Sequence, residues 1–205
     1  MAKTAKEMWE ELAKDKNYVE MKKRQEKKRK TYAQKMRRNE RPLVKALRKA
    51  GVSVNSVWDL VNTSEPYPDA LPVLIEHLMR DYHPKILAGI ARALAVRDPF
   101  AIEHAWPVTF DLFLKAEDDK NKEPEMRGFK EGLAVTLSVI CTEDRLSQMF
   151  DLIRDPRCGD NRTHLIYGLR RFRKNEKVKE FLESLYDDPY WGELAQKVAK
   201  GGRRR

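Results

Sequence analysis

Residues 86–95, "ILAGIARALA", and residues 129–138, "FKEGLAVTLS", decide the fold. Superposed without a gap, they bring Gly89 onto Gly132, Ile90 onto Leu133, Ala91 onto Ala134 and Leu94 onto Leu137. The steps between these positions are those of one helix face. Small residues there let two helices approach closely, while Leu and Ile fill the seam between them. Two such helices about forty residues apart read as units of an internal helical repeat.

The pattern extends in both directions. Amphipathic or apolar stretches cover residues 69–80, 84–96, 100–116, 126–141, 143–153, 162–173, 176–187 and 189–200. They are punctuated by "DYHP", "RDP", "EDDKNKEPE" and "RDPRCGDN", which carry the Pro, Gly, Asp and Asn of turns. Ahead of them, "RPLVKALRKAG" (41–51) reads as a short helix with Pro42 at its start and Gly51 as its stop. "VSVNSVWDLVN" (52–62) puts Val54, Val57, Trp58 and Val61 on one face. No stretch alternates as a strand does, so the expectation is all-α, in helix pairs with short connections.

Charge divides the chain differently. The net charge of the 205 residues is +10. Residues 1–40 hold 14 Lys and Arg against 7 Asp and Glu, and Arg203, Arg204 and Arg205 add three more cations. Residues 41–202 then carry 25 cations and 25 anions. A neutral body with basic appendages confines any attraction for a polyanion to the ends. Between residues 22 and 30 there is no apolar side chain, so that segment buries no face and carries no heptad seam. The expected organisation is a basic helical or partly disordered extension (1–40), a helical body (41–200) and a basic tail (201–205).

The stretches "YPDALPVLIEHL", "PKILAGIARALAVRDP", "FKEGLAVTLSVI", "LIRDPRCGDNRTHLIYGLRRF" and "FLESLYDDPYWGELAQKVAK" together resemble small bacterial HEAT-repeat proteins over roughly residues 41–200. Asp81, Asp98 and Asp155, each near a Pro, sit where such repeats place turn and cap residues. The resemblance implies an all-α, right-handed α-solenoid of about four to five HEAT-like helical hairpins, preceded by the basic N-terminal helical extension. It also implies adaptor-like work, because such proteins present a long surface rather than a deep pocket.

Catalytic motifs are scarce. One class of alkylpurine DNA glycosylases is similar in its HEAT-like repeats, and would need an aromatic platform, a carboxylate and cations around one cleft. Trp106, Asp111 and Arg127 are the candidates, but a spacing of five separates Trp106 from Asp111 by about 140° around a helix. Trp106 is therefore expected in the core and Asp111 on the surface. His77, His83, His104 and His164 form no i, i+4 pair, and "EDDKNKEPE" lacks the glycine and alternating ligands of a calcium loop. Ser53, Ser56, Ser138 and Ser147 have no evident activating partner, and no nucleotide-binding fingerprint occurs. The expectation is a non-enzyme without metal, cofactor or small-molecule substrate.

Binding residues are easier to nominate. "NRTHLIYGLRRFRK" (161–174) is the basic patch of the body. Arg162, Arg170 and Arg171, with Lys85, Arg92, Arg127 and Lys130 on earlier second helices, form a candidate stripe on the concave face. Against this, the arginine stems can cover repeat seams while their heads pair with Asp151, Asp155 or Asp160. In the extension, Lys22, Lys23, Arg24, Lys27, Lys28, Arg29, Lys30, Arg37 and Arg38 are candidates for phosphate contact, with Tyr18 and Tyr32 as stacking aromatics. A protein partner on the concave face is the first reading, and a nucleic acid held by the arm and stripe the alternative. A beginning without a signal-like apolar core, no membrane-length apolar run and only Cys141 and Cys158 point to a cytoplasmic protein.

Overall fold

The computed structural model describes residues 4, 8, 13–118 and 122–201. The centre of the acidic loop and Arg203, Arg204 and Arg205 lie outside them. Among the described residues the chain is helical and contains no strand. The helices are α1 (Lys16–Lys49), α2 (Val57–Val61), α3 (Leu71–Leu78), α4 (Pro84–Ala93) and α5 (Pro99–Lys115). They continue with α6 (Phe129–Ile140), α7 (Leu146–Arg154), α8 (Arg162–Gly168), α9 (Glu176–Glu183) and α10 (Gly192–Ala199). Short 3-10 turns precede α3, α7 and α8 and follow α8.

The chain divides into two compact units, Met1–Arg41 and Pro42–Arg205. The expected short helix beginning at Pro42 is not separate: α1 runs through this position to Lys49. A proline within a helix removes one backbone donor and crowds the preceding turn, yet the flanking Lys, Arg, Ala and Leu residues favour helix strongly enough to continue it. Gly51 has a φ of 86°, in the left-handed region, and closes the turn after α1.

In the second unit the helices pack in consecutive pairs, α3 with α4, α5 with α6, α7 with α8 and α9 with α10. The second member of each pair also packs on its counterpart in the next: α4 on α6, α6 on α8 and α8 on α10, with α2 packed on α4. One continuous apolar core, from Leu43 to Val198, fills the space between the pairs.

Glycines set the spacing of the second helices. A Cβ at Gly89 would lie 2.5 Å from Val57 Cγ1 and 3.1 Å from the Trp58 ring, so α4 sits directly on α2. One at Gly132 would lie 3.1 Å from the Ala88 carbonyl oxygen and 3.2 Å from Ala91 Cβ, on α4. One at Gly168 would lie 2.8 Å from Ser138 Cβ and 3.0 Å from its backbone, on α6. Thr136, fully buried on α6, donates its hydroxyl across the same seam to the Ala91 carbonyl oxygen.

Helix starts follow local polar chemistry. Ser56 and Asp59 form a capping box at α2. Asp98 accepts from the backbone N–H groups of Phe100 (2.8 Å) and Ala101 (3.4 Å) at the start of α5. Asp155 accepts from the Arg157 N–H at 2.9 Å and opens the 3-10 turn before α8. At α4, however, the cap is His83, whose Nδ1 accepts from the Lys85 N–H at 3.2 Å, rather than the expected Asp81.

Gly168→Ala tests the seam. Helix propensity alone favours Ala by about 1 kcal/mol, but the added methyl meets backbone that cannot move without separating α6 from α8. The variant is expected to be less stable by about 1–3 kcal/mol in urea denaturation. Equal or greater stability would show that the helices are not in fixed contact there.

Candidate functional site

The nominated body cations do not form one stripe. Lys85 and Lys130 fall at the starts of α4 and α6, and Arg162 opens α8. Arg92 lies in the last turn of α4, and Arg170 and Arg171 lie in the turn just beyond α8. Arg127 is on no helix, because Gly128, at φ 105°, breaks the expected helix of residues 126–141 ahead of Phe129. Its Nε donates to the Lys122 carbonyl at 2.6 Å and it belongs to the preceding loop.

Several of these cations fasten the fold. Lys130 is only 4 % exposed. Its ammonium donates to the Arg157 carbonyl at 3.0 Å and lies 5.5 Å from the centre of the Phe113 ring, joining α6 to α5 and to the turn before α8. That ammonium is not available on a surface. Arg171 spans α8 and α6, donating Nη1 to the Val139 carbonyl at 2.6 Å and Nη2 to the Cys141 carbonyl. These are carbonyls at the C-terminal end of α6, which have no partner within their own helix and attract a cation. Burial lowers the pKa of Arg171 from its usual value, with Arg97 adding like-charge repulsion.

The remaining members are partly engaged. Arg92 donates to Glu131 at 2.9 Å, and Glu131 also lies 3.4 Å from His164 Nε2, a bridge running α4–α6–α8. Arg162 bonds the Gly159 carbonyl and stacks its guanidinium 4.9 Å above the Trp191 ring. Arg170 donates Nε to the Gly201 carbonyl at 3.0 Å. Lys85 is half-buried, with Nζ facing the Gly128 turn. The expected pairing with Asp151, Asp155 or Asp160 is not the pattern observed for Arg162, Arg170 and Arg171, whose acceptors are backbone carbonyls.

The residues of the glycosylase reading are not brought together. Trp106 is buried, its indole N–H donating to Gln148 Oε1 at 2.9 Å while Arg145 lies 5.1 Å over its ring. Asp111 is exposed and holds Lys115 at 2.7 Å. Trp58 packs against the core beneath Gly89. His77 is buried and bonded to the Tyr82 hydroxyl at 2.7 Å, with its pKa lowered first by burial and then by Arg80. Among the described residues no three His, Cys, Asp or Glu side chains cluster as metal ligands. No described helix is long and apolar enough to cross a membrane.

Two surface grooves lie between adjacent pairs. One, of about 480 Å³, separates α6 from α8 and is lined by Ser138, Val139, His164, Tyr167, Arg170 and Arg173 among others. The second, also about 480 Å³, separates α7 from α9, where Phe150 stacks on Phe181 between Arg154, Lys177, Glu143 and Glu180. Charge is mixed in the second and positive in the first. Sequence reasoning missed His164, Tyr167 and Ser138 as neighbours of the basic patch's Arg173, although two of them stand within that patch.

The arm is simpler. Lys22, Lys23, Arg24, Lys27, Lys28, Arg29, Lys30, Arg37 and Arg38 are all exposed on α1. Residues 16–40 hold 11 Lys and Arg but only Glu20, Glu26 and Glu40 as anions. Arg24 faces Glu20 at 3.6 Å, and Glu26 takes Arg29 at 2.9 Å and Lys30 at 3.7 Å. The Arg29 hydrogen bond holds the Glu26 carboxyl below its usual pKa. Lys22 lies 5.6 Å over the Tyr18 ring. No protein-family model, curated protein or solved structure matches the chain.

Arg171→Met, which strips the donors from the α6 carbonyls, is expected to lower stability by about 1–3 kcal/mol; an unchanged urea midpoint would return Arg171 to the surface. Cys141 and Cys158 are both buried and burial pushes their thiols up to about 11. Unfolded thiols ionise near about 8.5, so only the unfolded chain gains thiolate as pH rises between those values. Stability is therefore expected to fall across that interval, and a thiol reagent at neutral pH to modify both cysteines only after denaturation. Rapid native-state modification would contradict the burial of either side chain.

Proposed function

We propose that the chain is a non-catalytic binding protein, a HEAT-like α-solenoid that holds a protein partner on the face made by its second helices. The four pairs α3/α4, α5/α6, α7/α8 and α9/α10 are its hairpins, and α2 with the end of α1 begins the array. The carrying observation is the stacking of α4, α6, α8 and α10 on one another. A stack of this kind offers an extended surface assembled from successive repeats, suited to a polypeptide rather than to a small substrate. The fixed spacing at Gly132 and Gly168 keeps that surface in register without a partner, so little ordering is required on binding.

The arm favours a second reading, nucleic-acid binding. Taking Arg24 as reference at 100° per residue, Lys28, Lys35 and Arg38 fall within about 40° of it, while Lys22, Arg29 and Arg37 fall on the opposite side. A helix meeting one flat acidic surface needs cations on one side only. Cations all round suit a groove with phosphates on both walls, and such contacts depend strongly on salt.

Affinity capture with the full chain, and with a variant carrying Gln at Lys22, Lys23, Lys27 and Lys28, separates these readings. A stoichiometric protein recovered by both chains is expected from the adaptor reading, and recovery of none would reject it. Fluorescence anisotropy with mixed-sequence duplex DNA and RNA at about 50 mM salt tests the second. Binding that falls steeply as salt is raised and weakens in the Gln variant is expected; absence of binding there rejects it.

A further inference from the structure

The groove between α6 and α8 gathers positive charge on the body. Among the described residues its lining includes Ser138, His164, Arg170, Arg171 and Arg173, and no Asp or Glu. Glu131 lies 3.4 Å from His164 at one end and is already shared with Arg92. Arg97 adds its charge to that of Arg171 from outside the lining.

These guanidiniums are fixed but unevenly used. A guanidinium carries five N–H donors. Arg170 spends one on the Gly201 carbonyl, and Arg173 spends one on the Arg170 carbonyl at 3.4 Å. Arg171 is occupied at both terminal nitrogens, while its Nε is buried with no hydrogen-bond partner among the described residues. Packing like charges together is unfavourable, and an anion between them relieves the repulsion while taking up spare donors. Val135 and Val139 on α6 and Tyr167 on α8 add apolar surface to the lining. Gly168 makes this geometry: its missing side chain brings the backbone of α8 against Ser138, with Arg170 and Arg171 in the turn that follows.

A phosphate backbone needs a continuous cationic track, which the arm has and this short groove lacks. A carboxylate beside an apolar side chain matches it better, the carboxylate on the Arg170 and Arg173 forks and the apolar group on the valines and Tyr167. We infer that the α6–α8 groove binds an acidic, leucine-like segment of a protein partner through Arg170, Arg173 and the Val135–Val139–Tyr167 wall. This inference rests on the adaptor reading for the nature of the partner and adds where and through what chemistry it is held.

The test is an NMR titration of the 15N-labelled full chain with acetyl-Leu-Glu-Glu-Leu-amide and its Gln counterpart, acetyl-Leu-Gln-Gln-Leu-amide. The acidic peptide is expected to shift amides in residues 135–139 and 164–173, and the Gln peptide at equal concentration to leave them in place. In the double variant Arg170→Gln with Arg173→Gln, binding is expected to weaken about tenfold with the thermal melt retained. Because Arg170 also anchors Gly201, the exposed Arg173→Glu alone provides a second reading that does not touch that contact. Equal shifts from both peptides, shifts produced as well by inorganic phosphate or a single-stranded RNA, or unweakened binding in both variants would overturn the assignment. If the full chain still recovers a stoichiometric partner while the groove fails these tests, only the groove is rejected. If the groove binds the acidic peptide but no partner is recovered, only the adaptor reading is rejected.

Discussion

The contact on which the rest of the body depends is the approach of one second helix to the next across a glycine. Gly132 over Ala88 and Ala91 and Gly168 over Ser138 leave out a side chain where two backbones meet, and Gly89 leaves one out against the Val57 and Trp58 side chains. Glycine within a helix costs about 1 kcal/mol relative to Ala, so its presence at these three seams is explained by packing rather than by local preference. The close approach also brings Thr136 within reach of the Ala91 carbonyl and Arg171 within reach of the α6 terminus. Apolar side chains then fill the outer part of each seam and join the pairs into one core.

Much of this was legible in two ten-residue stretches. The Gly89 and Gly132 equivalence identified two of the three seams, and the positions of Pro, Asp and Gly located nearly every helix. The third seam was obscured because Gly168 is followed by Leu169, Arg170 and Arg171, where the earlier stretches have mostly small or apolar residues. Those arginines broke the apolar pattern although one of them, Arg171, turns inward. The same superposition set Lys130 against Leu87, an aliphatic position, and that was the available signal for its burial. Charge alone suggested a surface residue, since a lysine is rarely buried without specific partners. The continuation of α1 through Pro42 and the break at Gly128 were illegible for a different reason. Each depends on which of two competing backbone tendencies prevails, and no side-chain periodicity records that.

Positive charge therefore does two jobs in this chain. Within the body it closes helix ends and bridges neighbouring pairs, as Lys130, Arg162 and Arg171 do. Positive charge also gathers in the α6–α8 groove, with Arg170 and Arg173, and on the arm, whose eleven cations outnumber three anions in residues 16–40. A count of charges could locate the arm but could not separate structural arginines from available ones, because that distinction lies in which carbonyls face them.

The glycine seam is tested most directly by a double-mutant cycle between Gly89→Ala and Val57→Ala. The new methyl would stand 2.5 Å from Val57 Cγ1, the atom that the second substitution removes. If α4 is seated on α2 at this point, the double variant will be more stable than the sum of the single effects by at least about 0.5 kcal/mol in urea denaturation. Additive effects, within the scatter of the measurement, would mean that the two helices do not meet at Gly89 and would contradict the account.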